Sequence, residues 1–270
     1  MIISTANAKL IHQKGAVSIM FHSTDYDKLQ QIMQESPEKS ELLSRLLESH
    51  RMDISTISHE IRNPLTLVYS TLQLIESQHP EVLSFDHWSE LHQDIEYMTQ
   101  LLEELSSYNN GERLNTCLTD MNTYLKVLSL SFASSIIDTD IEFSSAIRPD
   151  LPSMLIDPVK LKQALLNLLR NARDAVLNSD ASSRPSIRLT ACTEKMVLKI
   201  TISDTGCGIP ADEISSIFEP FITHKPDGTG LGLPITRRVI QAHGGSVKVS
   251  SVPGDGTEFT ILLPVQENTQ

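Results

Sequence analysis

The sequence predicts an α+β chain: a helical hairpin that dimerises into a four-helix bundle, followed by an α/β sandwich with helices layered over one sheet face. Three observations predict it. Apolar residues between 54 and 105 recur mostly every three or four positions along two segments separated by His79-Pro80. Beyond about residue 120, segments of helical period alternate with short β-prone segments. Glycine clusters at 206–208, 228–232 and 254–256 then punctuate this second half. At 270 residues the chain exceeds the usual single-domain size, so two globular units are expected, one long domain being the alternative.

The elements follow in order. Residues 1–37 mix short apolar patches such as Val17 to Phe21 with polar residues and receive no functional assignment. Residues 38–110 form the first domain. Ile54, Ile57, Ile61, Val68, Leu72 and Ile75 make a helical seam that ends at His79-Pro80. Trp88, Leu91, Ile95, Met98, Leu102 and Leu105, spaced 3, 4, 3, 4, 3, give a second helix running back along the first. Two helices alone leave both seams part-open, so a bundle of two chains, a homodimer, is expected. Asn109-Asn110-Gly111 ends the hairpin, and a polar linker runs to Asp120.

The second domain is expected over 120–266. It should contain a helix near 121–137, a strand near 141–147, and a helix from Pro158 to about Asn178 capped by Asp157. Strands near 186–192 and 196–203, a helix near 231–243 and strands near 246–251 and 257–263 complete it.

Bulk composition narrows the function. Lys and Arg total 22 against 34 Asp and Glu, a net charge of -12 with no offsetting basic run, which argues against nucleic acid as a partner. Cys117, Cys192 and Cys207 are odd in number and wrongly spaced for a disulfide framework or zinc site, so a reducing, cytoplasmic setting is expected. No run approaches the ~20 apolar residues that span a bilayer, so no direct membrane insertion is expected.

His59 lies two positions past the seam residue Ile57, rotated roughly 200 degrees from it, and should face solvent. An isolated surface histidine usually does nothing. Here Glu60 stands beside it and Pro64 follows, removing a helix hydrogen bond and favouring a bend that leaves room for a second domain. Neutral imidazole is a competent nucleophile toward phosphorus, and an adjacent carboxylate can stabilise the charge that develops. Asn63, four residues on, shares the same face, where its amide can position a water for hydrolysis of a partner's aspartyl phosphate.

On the helix after Asp157, Leu165, Leu168, Ala172 and Ala175 form the core face. Asn167, Asn171 and Asp174 form a polar stripe that sacrifices helix propensity. Such oxygens can hold a magnesium ion on ATP phosphates. Asp204, ending an apolar strand before Gly206 and Gly208, can accept a hydrogen bond from an amino group such as adenine's. Gly228-Thr229-Gly230-Leu231-Gly232 opens a helix whose amides can cradle phosphate oxygens, though its spacing is not the dinucleotide fingerprint.

Together these pieces, in this order over residues 50–265, resemble sensor histidine kinases. His59 to Pro64 resembles the family's phosphoacceptor box, Asn167 to Ala175 its asparagine box, and Asp204 to Gly208 its first glycine box. Phe218-Glu219-Pro220-Phe221 resembles the phenylalanine box, Gly228 to Gly232 the second glycine box, and Gly254 to Thr257 a further glycine turn. The resemblance implies an ATP-binding domain of the gyrase and heat-shock chaperone kind. By position, it makes His59 the phosphoacceptor, Glu60 its assisting carboxylate and Asn63 the phosphatase residue. Asn171 becomes the Mg2+ ligand, Asp204 the adenine reader, and Lys225 a lid cation over the phosphates, in a lid spanning Ala211 to Asp227. Asn167, Asp174, Gly206, Gly208, Gly228, Thr229, Gly230, Leu231, Gly232 and Thr257 join the nucleotide-binding set. The implied partner is a separate response-regulator receiver domain.

Two readings compete. One is a scaffold with a degenerate ATP domain, against which the intact Asn171, Asp204 and glycine boxes weigh. The other is a related ATPase or protein-serine kinase, which has no need of the histidine-bearing hairpin.

Overall fold

The computed structural model describes residues 37–179, 184–225 and 228–265; in the first turns of the leading helix, side chains are described only for 39–42 and 45 and then from Thr56 onward. The segment before Pro37, the Ile54 side chain and lid residues 226–227 therefore lie outside the described residues. The chain divides into two units at Asp53 and Ile54.

Helix α1 spans Pro37–Gln78 and continues through Pro64. It stops at His79, which leaves the helical region at φ -135° and ψ 73°, in the direction that the ring of the following Pro80 favours. A short 3-10 turn, Pro80–Ser84, follows, and His87 enters α2, Trp88–Asn110, in the left-handed conformation at φ 67°. The two helices run antiparallel, with the Trp88 indole N–H donating to Glu76 Oε1 at 2.8 Å and Tyr69 Oη donating to Glu96 Oε1 at 3.4 Å. Leu72, Val82 and Ile95 are buried, but Ile57, Ile61, Val68, Leu91 and Met98 remain 42–53% exposed. One chain thus leaves much of the expected seam open.

The segment 112–120 is more than the expected linker. Its last residues form strand β1, Cys117–Asp120, which pairs antiparallel with β3, Ser153–Ile156, in a two-stranded ribbon. Both strands are four residues long, β1 largely exposed and β3 burying only Met154 and Ile156, and they are too short to carry a periodic signal. Asp120 then caps α3, Met121–Ser135, accepting from the backbone N–H groups of Asn122 and Thr123.

The main sheet has the order β2-β4-β5-β7-β6, from β2, Glu142–Ile147; β4, Ser186–Glu194; β5, Val197–Asp204; β6, Ser246–Val252; and β7, Gly256–Pro264. Only the β2–β4 pair is parallel. Helices α3, α4 (Pro158–Leu177) and α5 (Gly232–Ala242) accompany it. Leu161, Leu165, Leu168 and Leu169 of α4 are fully buried with Ile187, Leu189, Leu198, Ile200 and Ile202 of the sheet and Met121 and Leu125 of α3. Truncating any one of these leucines to alanine costs about 2–5 kcal/mol. On α4 the inner face is completed by Val176, whereas Ala175, expected in the core, is half-buried and faces the first glycine turn.

The start of α4 is tied from several sides. Asp157 Oδ1 accepts from Val159 and Lys160 N–H at 3.1 and 3.0 Å, and Oδ2 accepts from Asn115 N–H at 2.9 Å. The Asp157 N–H donates to His243 Nε2 at 3.0 Å, while His243 Nδ1 meets Val239 O at 2.7 Å. One nitrogen must accept and the other donate, so these contacts require the neutral ring with its proton on Nδ1.

Candidate active site

The site on the sheet domain is built along one side of α4. Asn167, Asn171 and Asp174 recur at four and three residues and so share a face, and each is half-buried. Asn167 Nδ2 donates to Gly232 O at 3.1 Å, joining this helix to the start of α5. The lid lysine, Lys225, places Nζ 2.8 Å from Asn171 Oδ1 and 2.7 Å from Asp174 Oδ2. Arg173 closes on the other oxygen of Asp174, with Nε at 3.2 Å and Nη2 at 3.0 Å. Burial pushes the Asp174 carboxyl up, but the Lys225 ammonium and Arg173 guanidinium outweigh it and hold its pKa below the usual value. Arg173 had no separate sequence signal, because a cation beside an acidic residue on a helix is ordinary.

At the end of α4 the first glycine turn comes close. Cys207 N–H donates to Ala175 O at 3.2 Å, and a Cβ on Gly206 would lie 2.6 Å from Ala175. Only a residue without a side chain lets the turn approach the helix this closely. The turn positions Asp204, which is 8% exposed at the end of the central strand β5. Asp204 Oδ1 accepts from Gly206 N–H at 2.9 Å and Thr257 N–H at 3.3 Å. Burial nevertheless raises its pKa above the ordinary carboxylate value, exceeding the opposing effect of those two bonds. Among the described residues nothing donates to Oδ2. The site therefore holds one fixed, poorly solvated acceptor oxygen beside a second that is anchored.

Ser251 locks the neighbouring turns together. Its Oγ accepts from Ile209 N–H at 2.8 Å, donates to Gly256 O at 2.9 Å, and lies 2.9 Å from Thr257 Oγ1. Its pairing opposite Thr257 across β6 and β7 depends on a strand register that the sequence does not reveal. Gly256 has φ 118°, and a Cβ there would meet Asp204 O at 1.9 Å. Gly208 adjoins Val252, and Gly228 adjoins Thr223 at the lid's far end.

The second glycine box lies between lid and α5. Gly230 O accepts from Phe221 N–H at 3.0 Å. Leu231, expected among the nucleotide contacts, has a fully buried side chain packed with Ala164, Ile235 and Val239, and its N–H donates to Thr229 Oγ1 at 3.2 Å. Thr229 in turn donates its hydroxyl to Glu104 Oε2 of the hairpin. Phe218, within the lid segment, makes an edge-to-face contact with Phe259, 6.4 Å between centroids, with the Arg237 guanidinium 5.8 Å from its ring centroid.

On the hairpin, His59, Glu60 and Asn63 are all exposed on α1, as the helical spacing predicts, and Ser58 is buried. The asparagine stripe, Asp204, the three glycine turns and Lys225 converge from positions up to ninety residues apart, while the imidazole is carried separately on a solvent-facing helix.

The family described as the His Kinase A (phospho-acceptor) domain matches residues 54–114, and that described as histidine kinase-, DNA gyrase B-, and HSP90-like ATPase matches residues 156–267. The chain is similar to the signal transduction histidine-protein kinase AtoS of Escherichia coli strain K12, 31% identical over 210 residues, covering 77% of this chain and 34% of AtoS. It is also similar to the sensor histidine kinase ZraS of Escherichia coli O157:H7, 30% identical over 259 residues, covering 93% of this chain and 53% of ZraS. The chain thus spans about half or less of these curated relatives. Among solved structures, full-length ShkA in complex with AMPPNP superposes with a TM-score of 0.66 at 27% identity, over 79% of this chain and 46% of ShkA.

Proposed function

Because the chain belongs to the sensor histidine kinases of two-component systems, we propose that it phosphorylates itself on His59 from ATP and passes the phosphoryl group to an aspartate of a separate response-regulator receiver domain. The observation that carries this reading is the convergence of Asp204, the Asn167–Asn171–Asp174 stripe and the glycine turns on one side of α4, in a chain whose hairpin exposes His59 next to Glu60.

In this reading residues 38–110 are the dimerisation and phosphotransfer domain and 120–266 the ATP-binding domain. Asp204 Oδ2 accepts the adenine amino group, and the backbone around Gly206 and Gly208 shapes the base pocket. The amides of Gly228 to Gly232 and the start of α5 face the phosphates, with the Thr229 and Thr257 hydroxyls nearby. A ring nitrogen of His59 forms the new P–N bond as the bond from the γ-phosphorus to its bridging oxygen breaks and ADP leaves. Glu60 stabilises the charge that appears on the ring.

The donor set suits a hard cation. Asn171 Oδ1 and Asp174 Oδ2 already converge on one positive centre, the Lys225 ammonium, at 2.8 and 2.7 Å. Asn171 is the proposed Mg2+ ligand, and the ion would supply charge neutralisation of the phosphates. Lys225 then turns from Asp174 toward the nucleotide.

Asn63, one helical turn beyond His59, supports hydrolysis of the receiver's aspartyl phosphate. The open seam of Ile57, Ile61, Val68, Leu91 and Met98 supports a homodimer in which two hairpins close one four-helix core. The three cysteines are free, which suits the reducing cytoplasm where a receiver would be met. Among the described residues, no helix is long and apolar enough to cross a membrane.

Titration of Mg-ATP by calorimetry tests the site. Asn171→Ala should weaken Mg-ATP while leaving metal-free ADP nearly unaffected, and equal loss of both would remove Asn171 from the metal role. Sedimentation should give a dimer, and a monomer at micromolar concentration would contradict the bundle.

A further inference from the structure

The hairpin and the second glycine box are joined by a side-chain hydrogen bond between Thr229 and Glu104 and by apolar packing of Leu105 and Tyr108. Tyr69 lies opposite Glu96, and Glu76 opposite Trp88, in the antiparallel pair α1–α2. Each step back along α1 matches a step forward along α2, and α1 is helical throughout Pro37–Gln78. His59 is therefore level with Leu105 and Ser106, within a turn of Glu104.

At that level α2 grips the sheet domain. Leu105 and Tyr108 pack against the buried cluster of Ala164, Leu231, Ile235 and Val239. The Arg238 guanidinium lies 4.3 Å from the Tyr108 ring centroid, donates to Tyr108 O at 2.8 Å and meets Glu112 Oε1 at 2.8 Å. These contacts hold α5. Glu104 adds a directed polar contact to the glycine loop: its Oε2 accepts the Thr229 hydroxyl, and its Oε1 accepts from Gln100 Nε2 at 2.8 Å, which orients the carboxylate. A hydroxyl donating to a carboxylate is a charge-assisted, directional bond.

We propose that Glu104 is a positioning residue for phosphoryl transfer, its carboxylate holding Thr229 and the phosphate-cradling loop at the height of His59. The proposal rests on the kinase reading above. Its physical basis is that in-line transfer tolerates little misplacement, an error of about 1 Å costing on the order of a hundredfold in rate. Two hairpins in a two-fold bundle carry their histidines at one height, so Glu104 holds the loop level with His59 whichever chain's His59 is the acceptor.

The test is the single-turnover autophosphorylation rate of the full chain at saturating Mg-ATP, with nucleotide Kd and melting temperature measured on the same variants. Glu104→Ala should slow the maximal rate by about tenfold or more while Kd stays within about twofold. Glu104→Gln, which keeps an acceptor oxygen, should recover most of that loss. A Glu104→Ala rate equal to or above wild type would overturn the proposal and mark the contact as a bystander or a brake. Rate, Kd and melting temperature falling together would mean a merely structural role, and Glu104→Gln as slow as Glu104→Ala would remove the hydrogen-bond basis. Wild-type label lost in His59→Gln, run on the same gel, separates failure of the kinase reading from failure of this one.

Discussion

Asp204→Asn separates the adenine-reading role from a structural one, because the two acceptor bonds that hold the side chain survive the change. Oδ1 of asparagine can still accept from Gly206 and Thr257 N–H, now at 2.9 and 3.3 Å, and the side chain keeps its size. What changes is the other arm: Oδ2, an acceptor with no donor among the described residues, becomes an NH2 group, which in the proposed pose would meet the adenine amino group donor to donor. A hydrogen bond to a charged acceptor contributes about 1.5–3 kcal/mol, so ATP affinity should fall by about tenfold to a hundredfold. Folding should not suffer. Burial raises the Asp204 pKa, so the folded state disfavours the ionised carboxylate. That cost is absent below the unfolded-state value of about 3.9 and grows as pH rises through and above it, so the neutral amide should melt at an equal or higher temperature at pH 7. Calorimetric ATP titration and a thermal melt decide the matter. Unchanged ATP affinity, or weakened affinity accompanied by a lower melting temperature, would refute the assignment.

Other consequences follow from the same geometry. Asn63→Ala should lower dephosphorylation of a phosphorylated receiver by about tenfold or more while sparing autophosphorylation, and unchanged dephosphorylation would remove Asn63 from that step. Asp174 is held below its usual pKa by Lys225 and Arg173 against the pull of burial, so its ion pair stabilises the fold above pH ~4 and fades as pH falls through the depressed folded value. Melts of Asp174→Asn against wild type should therefore converge in acid, with a gap at pH 7 within about 1 kcal/mol because Lys225 is partly exposed. Gly256→Ala would put a Cβ 1.9 Å from Asp204 O at φ 118°, costing at least about 2 kcal/mol and roughly 5 °C or more of melting temperature. A normal melt would contradict the turn geometry.

The parts of the fold that were readable from sequence are those with a long period or a paired signal. The α1 and α2 helices, the break at His79-Pro80 and the Asp157-Pro158 helix start each combine several residues, and the structure places them as expected, while much of the seam stays exposed in one chain. The β1–β3 ribbon was missed because four-residue strands have no measurable alternation and their pairing bridges more than thirty residues. The same distinction applies to the site. Asn167, Asn171 and Asp174 declared themselves through helical spacing, and Asp204 through its place at a strand end before glycines. Ser251 and Arg173 act only through register and rotamer, and Leu231 sits inside a glycine-rich motif whose backbone faces one way while its side chain fills the core. Glu104 was invisible because its meaning arises from the packing of two segments 125 residues apart.

The most direct test of the account is to incubate the purified chain with γ-labelled ATP and magnesium and treat the labelled protein with acid and alkali. Label should survive alkali, be lost in acid, and be absent from His59→Gln although that variant still binds ATP. Label that persists in His59→Gln, or none in a wild-type chain that binds ATP, would contradict it.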